Sequence, residues 1–232
     1  TIEKISGTSI GAIFGVMYLT DKLEEFDRLY HIIRLRFNSS LKLNTFYKMF
    51  ENDIVNNTKD ICNILTNKLY INYFDIEKKN EVVVSVYKSE KDILKYKQNA
   101  SYIPIFADGK LCYNNSIDGI VPYLFYDRDI SDPKNLIINL HDIGTYKQMI
   151  NTKNEKNCEH RRLTGILEIH HFFLHNEKSK MCSYIEDWKP RDFIVYRMKA
   201  IIRLIIGYFI YFSIIINKYI PMFIKDNIFF IK

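Results

Sequence analysis

Gly7-Thr8-Ser9-Ile10-Gly11 decides how this chain reads. The pentapeptide has the form G-x-S-x-G, which in an α/β protein marks a sharp turn from a strand into a helix, with the serine hydroxyl held out at the bend. Its flanks suit that use. Ile2-Glu3-Lys4-Ile5-Ser6 reads as the end of a strand. Ala12 to Leu19 reads as a helix with small residues at 11, 12 and 15, so one helix face can press close to a sheet. Gly7 and Gly11, two before and two after the serine, are expected where a Cβ would collide. The helix N-terminus then directs backbone N–H groups and a positive dipole at a developing oxyanion. Ser9 is the candidate nucleophile.

Outward from the elbow, the chain alternates helical and extended patterns. Residues 21–50 carry apolar positions at helical spacing, interrupted at Asn38-Ser39-Ser40. A helix is predicted over 58–69, a strand over Glu81 to Tyr87, a short helix over Lys91 to Asn99, and a second, buried strand over Leu136 to Leu140. Residues 151–162 are polar and read as a linker; 164–175 read as a helix. The alternation predicts an α/β fold. There is no internal repeat.

Composition narrows the class. The 232 residues are 47% hydrophobic and 26% charged, which suits one folded domain with an appendage and excludes wholesale disorder. There are 17 Tyr and 16 Phe, while alanine occurs only at 12, 100, 107 and 200, so aromatic clusters carry less information here than in a balanced sequence. Cys62, Cys112, Cys158 and Cys182 are widely spaced, which argues against a disulfide scaffold and for a reducing compartment. No signal-peptide pattern opens the sequence. The net charge of +6 is concentrated near the C-terminus, where Arg197, Lys199, Arg203, Lys218, Lys225 and Lys232 face Asp226 alone. That excess flanks the most apolar part of the chain, which favours a membrane surface over nucleic acid.

A second stretch joins the elbow. Residues 100–122 run Ala100-Ser101-Tyr102-Ile103-Pro104-Ile105-Phe106-Ala107-Asp108-Gly109-Lys110-Leu111-Cys112-Tyr113-Asn114-Asn115-Ser116-Ile117-Asp118-Gly119-Ile120-Val121-Pro122. With the elbow, this block resembles the patatin-like phospholipase family over about residues 1–140. In that family an "AS…P…F" segment runs into "DGK-L-Y", then a catalytic Asp-Gly-Gly or Asp-Gly-Ala, then an Asn/Asp-rich turn and a proline. The resemblance implies a three-layer α/β/α sandwich and a Ser–Asp lipid acyl hydrolase. Ser9 would attack an ester carbonyl of a phospholipid or glycerolipid, an Asp would act as base, and no metal or other cofactor would take part.

The chain departs from that pattern twice. Eight residues before Pro122, at the family's Asp position, stands Asn114, whose neutral amide cannot take a serine proton. Asp118 is the substitute, on the expectation that the loop shifts. Asp108 matches the non-catalytic Asp of "DGK" and reads as a turn residue. The family's Gly-rich oxyanion loop lies upstream of the elbow, where this sequence has only Thr1 to Ser6. The expectation is a partial patatin-like domain at 1–150, weak or inactive by itself, then a linker and helix at 151–199.

Other constellations compete with plainer readings. Cys158, His160, His170, His171, His175 and Cys182 fit no zinc spacing and read as polar positions of an amphipathic helix. His141 with Asp118 or Asp127 would make a Ser-Asp-His order, which the patatin-like block disfavours. Residues 200–232 form a hydrophobic, basic-flanked segment. Its uncharged core, Leu204 to Ile216, is shorter than a bilayer needs, but Arg203 and Lys218 are placed to snorkel from its ends, with Tyr208, Tyr211 and Tyr219 at interfacial depth. The expectation is membrane insertion or deep anchoring, on the cytoplasmic face. The competing function is a catalytically dead membrane- or lipid-binding protein, favoured by Asn114 and the absent loop.

Overall fold

The computed structural model describes residues 2–40, 44–105, 107–125, 134–139 and 159–219. Their contacts group into two units: Thr1–Leu23, Lys42–Tyr123 and Met198–Lys232 in one, Glu24–Leu41 and Leu124–Arg197 in the other. Among the described residues, 198–219 of the apolar C-terminal segment group with the elbow's unit. Among the described residues the chain is mixed α/β, with seven α-helices and two small sheets.

The first unit is organised by a strand that periodicity does not reveal. In chain order it contains β1 (Ile5–Gly7), α1 (Ile10–Leu19), α3 (Asn44–Phe50) running into a π turn, α4 (Ile61–Leu65), β2 (Leu69–Asp75), β3 (Asn80–Val84), α5 (Glu90–Ala100), β4 (Ser116–Asp118) and most of α7 (Pro190–Tyr219). The helix expected over 58–69 is cut to α4, because β2 begins at Leu69. β2 is buried on both faces, so it lacks the apolar–polar alternation of a half-buried strand. β3 pairs antiparallel along one edge of it.

The other edge of β2 is shared end to end. β1 lies parallel to its first half, from Ile5 opposite Leu69 to Gly7 opposite Ile71. β4 lies antiparallel to its second half, from Ser116 opposite Asp75 to Asp118 opposite Tyr73. The two short strands thus run toward each other and stop on either side of Asn72. This register, rather than any local motif, brings the elbow to residue 118.

Helices cover both faces of this sheet. On one face, a Cβ added to Gly15 of α1 would sit 2.6 Å from Leu69 Cδ1, and Tyr96 of α5 stacks on Tyr73. A capping box between Ser89 and Asp92 starts α5. On the other face, Phe74, Ile76, Ile117 and Ile210 of α7 form one buried cluster. Gly207 lies against Phe74 so closely that a Cβ would be 2.3 Å from the ring.

Arg203 corrects an expectation. It does not snorkel: it is 5% exposed, donates from Nη1 to Gly119 O at 3.0 Å and from Nη2 to Glu81 Oε2 at 3.2 Å, and lies over the Phe74 ring. Its aliphatic stem and charge are both used inside the protein. Arg203→Met keeps the stem but leaves the Glu81 carboxylate and the Gly119 carbonyl without this donor. The expected loss is about 2–4 kcal/mol, read as a lower urea midpoint.

In the second unit, α2 (Glu25–Ser40) runs unbroken through the interruption expected at 38–40. β5 (Leu136–Ile138) pairs antiparallel with β6 (Cys182–Tyr184). Of the strand expected to be buried over 136–140, the described part is half-open, with Leu136 and Ile138 exposed; among the described residues this sheet has two strands. α6 (Glu159–His175) begins inside the expected linker; residues 151–158, including Cys158, lie outside the described residues, as do His141 and Asp127.

Candidate functional site

Ser9 occupies the turn between β1 and α1 with φ 53° and ψ −129°. A serine pays about 1–3 kcal/mol for such a conformation unless its surroundings impose it. Two contacts do. A Cβ on Gly7 would sit 2.5 Å from the Gly11 carbonyl carbon and 2.6 Å from the Ala12 nitrogen, so only glycine lets β1 approach α1 this closely. The Ser9 N–H donates to Ala100 O at 2.9 Å, pinning the bend to the end of α5. Gly11 departs from the expectation of a collision: nothing lies within 4 Å of a Cβ built there.

Asp118 comes to the same place from the far side of Asn72. Its N–H donates to Tyr102 O at 3.1 Å, two residues beyond the carbonyl that holds Ser9. The segment after α5 therefore fixes both partners, and the Tyr47 hydroxyl holds it by donating to Ser101 O at 2.9 Å. The Ser9 side chain lies close enough to Asp118 to draw its carboxyl downward as a hydrogen-bonding neighbour. Asp118 Oδ1 also accepts from the Ile120 N–H at 2.7 Å and lies 3.3 Å from Thr8 Oγ1. The single Thr8 proton is shared with Asn72 O, at 3.2 Å. Asn72 Nδ2 bonds Val121 O at 2.5 Å and Glu81 Oε1 at 2.7 Å, which ties the turn after β4 to the central strand. Gly119 has no room for a side chain: a Cβ would be 2.6 Å from Thr8 Oγ1 and 2.7 Å from Asn72 O.

Enclosure by protein sets the electrostatics. Burial pushes the Asp118 carboxyl up to about 6, against the pull of its hydrogen bonds from Ser9, Ile120 and Thr8 and of the Arg203 charge. A carboxylate of that basicity is ionised at neutral pH and is a better proton acceptor than an ordinary aspartate. The Ile10 N–H, first in α1, precedes any intrahelical acceptor, so a positive helix end faces the neighbourhood of Ser9.

Asn114 is not part of this arrangement, and the reason is local. Tyr113 and Ser116 exchange backbone hydrogen bonds in both directions, and Asn114 and Asn115 between them have φ 47° and 55°. Positive φ at both central residues defines a type I′ turn, which favours asparagine. Asn114 is exposed at the start of β4, while Asp118 ends that strand. No loop shift is needed to bring Asp118 to Ser9; counting back from Pro122 selected a turn residue. Asp108 accepts from the Lys110 N–H at 3.0 Å and from the Tyr102 hydroxyl, a turn role as expected.

His171 and His175 have ring centroids 4.7 Å apart on α6, but among the described residues no three His, Cys, Asp or Glu side chains are placed to hold a metal. Thr8, Asn72, Tyr102 and Arg203 were not singled out for this site in sequence. The Asp118-Gly119 dipeptide was the available signal for the base. Compared with protein-family models, curated proteins and solved structures, the chain matches none.

Proposed function

We propose that this chain is a patatin-like serine acyl hydrolase acting on phospholipid or glycerolipid esters at a membrane, with Ser9 as nucleophile and Asp118 as general base. The reading is carried by one observation: a serine in a strained strand-to-helix bend with its side chain beside a carboxylate that burial makes more basic. Helices on both faces of the sheet, and the glycine after Asp118, support the family's sandwich and Asp-Gly pair. Asp118 accepts the Ser9 proton as Oγ adds to the ester carbonyl. The N-terminus of α1 stabilises the oxyanion. The intermediate collapses to an acyl-serine, and the departing alcohol takes the proton back from Asp118. Water, deprotonated by the same carboxylate, then releases the fatty acid and restores the serine. Cys62, Cys112 and Cys182 are free thiols, which suits the cytoplasmic side. The second reading is a binding protein without activity; Asp118, rather than Asn114, near Ser9 favours the hydrolase over it.

A fluorophosphonate probe tests this without requiring turnover. Ser9 in the full chain should be labelled, as located by peptide mapping. Below pH 6 Asp118 is protonated, so the labelling rate should fall about tenfold per pH unit there and level off above about pH 7. Absence of Ser9 labelling, or labelling with no acid limb, would overturn the assignment.

A further inference from the structure

α7 is long and apolar enough to cross a membrane, yet its packing argues for a different placement. Arg203, Gly207 and Ile210 recur at i, i+4 and i+7, and all three are buried against the sheet. They lie in or beside the stretch that would have to sit in the hydrocarbon. Crossing a bilayer would strip Arg203 from Gly119 O and Glu81, and Ile210 from Phe74, Ile76 and Ile117. Lys79 of the β2–β3 turn adds a further tie, with its ammonium 4.4 Å from the Tyr211 ring. The opposite face is as apolar as the docked one and open: Ile201, Ile205, Phe209, Phe212 and Ile216 are each more than half exposed. At 100° per residue these five fall on one side of the helix, centred away from Arg203. Lys199 and Lys218 bracket that face within an excess of positive charge over residues 197–232.

We propose that α7 lies in the plane of an anionic membrane, clamped to the sheet by Arg203, Gly207 and Ile210, with Ile201, Ile205, Phe209, Phe212 and Ile216 entering the boundary between headgroups and acyl chains. A one-sided apolar face with basic flanks is the pattern of an interfacial helix. The inference rests on the membrane part of the reading above and not on its chemistry. Because Arg203 bonds the carbonyl next to Asp118, the clamp also places the candidate dyad at a fixed distance from the lipid surface, where ester carbonyls lie.

Depth measurement decides it, using full-length Ser9→Ala so that hydrolysis plays no part. In a Trp188→Phe background, single tryptophans replace Ile201, Phe209 or Ile216, the outer two about 22 Å apart along the axis. Vesicles of phosphatidylcholine with 30% phosphatidylserine carry brominated phosphatidylcholine at shallow or deep positions. All three tryptophans should be quenched best by the shallow bromine, and vesicle binding should weaken about tenfold when sodium chloride rises from 0.1 to 0.5 M. Deepest quenching at 209, with 201 and 216 near opposite surfaces, would show a spanning helix and overturn the proposal. So would no quenching at all, which means protein covers this face. Should a tryptophan variant misfold, amide exchange on the unsubstituted chain supplies the second measurement. Peptides covering 72–84 should stay as protected on vesicles as in solution; faster exchange there means α7 has left the sheet. Failure here with Ser9 labelling intact would remove the clamp but not the hydrolase.

Discussion

Ser9→Ala should reduce ester turnover to the uncatalysed background, and Asp118→Asn should lower it by about 10²–10⁴-fold, measured on a short-chain fluorogenic ester. Asn114→Ala should stay within about twofold of the parent, since an exposed turn residue touches neither partner. The stability readout should move the opposite way. The Asp118 carboxyl binds its proton more tightly in the folded chain than an unfolded aspartate does, so the folded state loses stability as pH rises from about 4 to about 6, and the deficit persists above. Asp118→Asn removes the charge that burial disfavours. It should therefore raise the melting temperature at pH 7–8, by the equivalent of roughly 2–3 kcal/mol, and have little effect near pH 3.5. Lost turnover with gained stability is the mark of a group kept for chemistry. Loss of both at neutral pH would make Asp118 a structural residue and leave Ser9 without a base.

Gly7→Ala and Gly11→Ala should separate sharply, although the two positions are symmetric in the motif. At Gly7 the new methyl meets backbone atoms of Gly11 and Ala12 at 2.5–2.6 Å, and neither can rotate away. β1 and α1 must then move apart, which undoes the Ser9 bend and its bond to Ala100. The expected cost is at least about 3 kcal/mol, with no detectable Ser9 labelling. At Gly11 the methyl enters open space within a helix, where alanine is favoured over glycine by up to about 1 kcal/mol. That variant should be as stable as the parent or more so. Urea midpoints for the pair would settle the matter, and equal destabilisation would mean that the bend is not held by the Gly7 approach.

The elbow was legible because its constraint is local. A strand end, a glycine, a serine and a small-residue helix within 15 residues leave few ways to fold, and β1, α1 and the Gly15 contact follow. α5 was legible for a similar reason, with a capping serine and amphipathic spacing. β2 was not. A strand buried on both faces shows no period of two, and Leu69-Tyr70-Ile71-Asn72-Tyr73-Phe74 in a Tyr- and Phe-rich chain looks like composition. Without β2 there is no ruler to show that β1 and β4 stop on either side of Asn72. Spacing from Pro122 was then the only guide to the base, and it pointed to Asn114.

The amino-acid order by itself determined a serine at a strand-to-helix bend and a greasy, basic-flanked end. Both follow from residue type and short-range spacing. Tertiary structure alone decided which carboxylate meets that serine, because the pairing depends on strand register across more than 100 residues. It also decided the role of Arg203. Next to an apolar run an arginine reads as a headgroup anchor, but with Gly119 O and Glu81 in reach and Phe74 beneath it, both of its Nη atoms find acceptors inside the protein. Local sequence carries the conformational preference of a bend or a helix; it does not carry the partners that only long-range packing supplies.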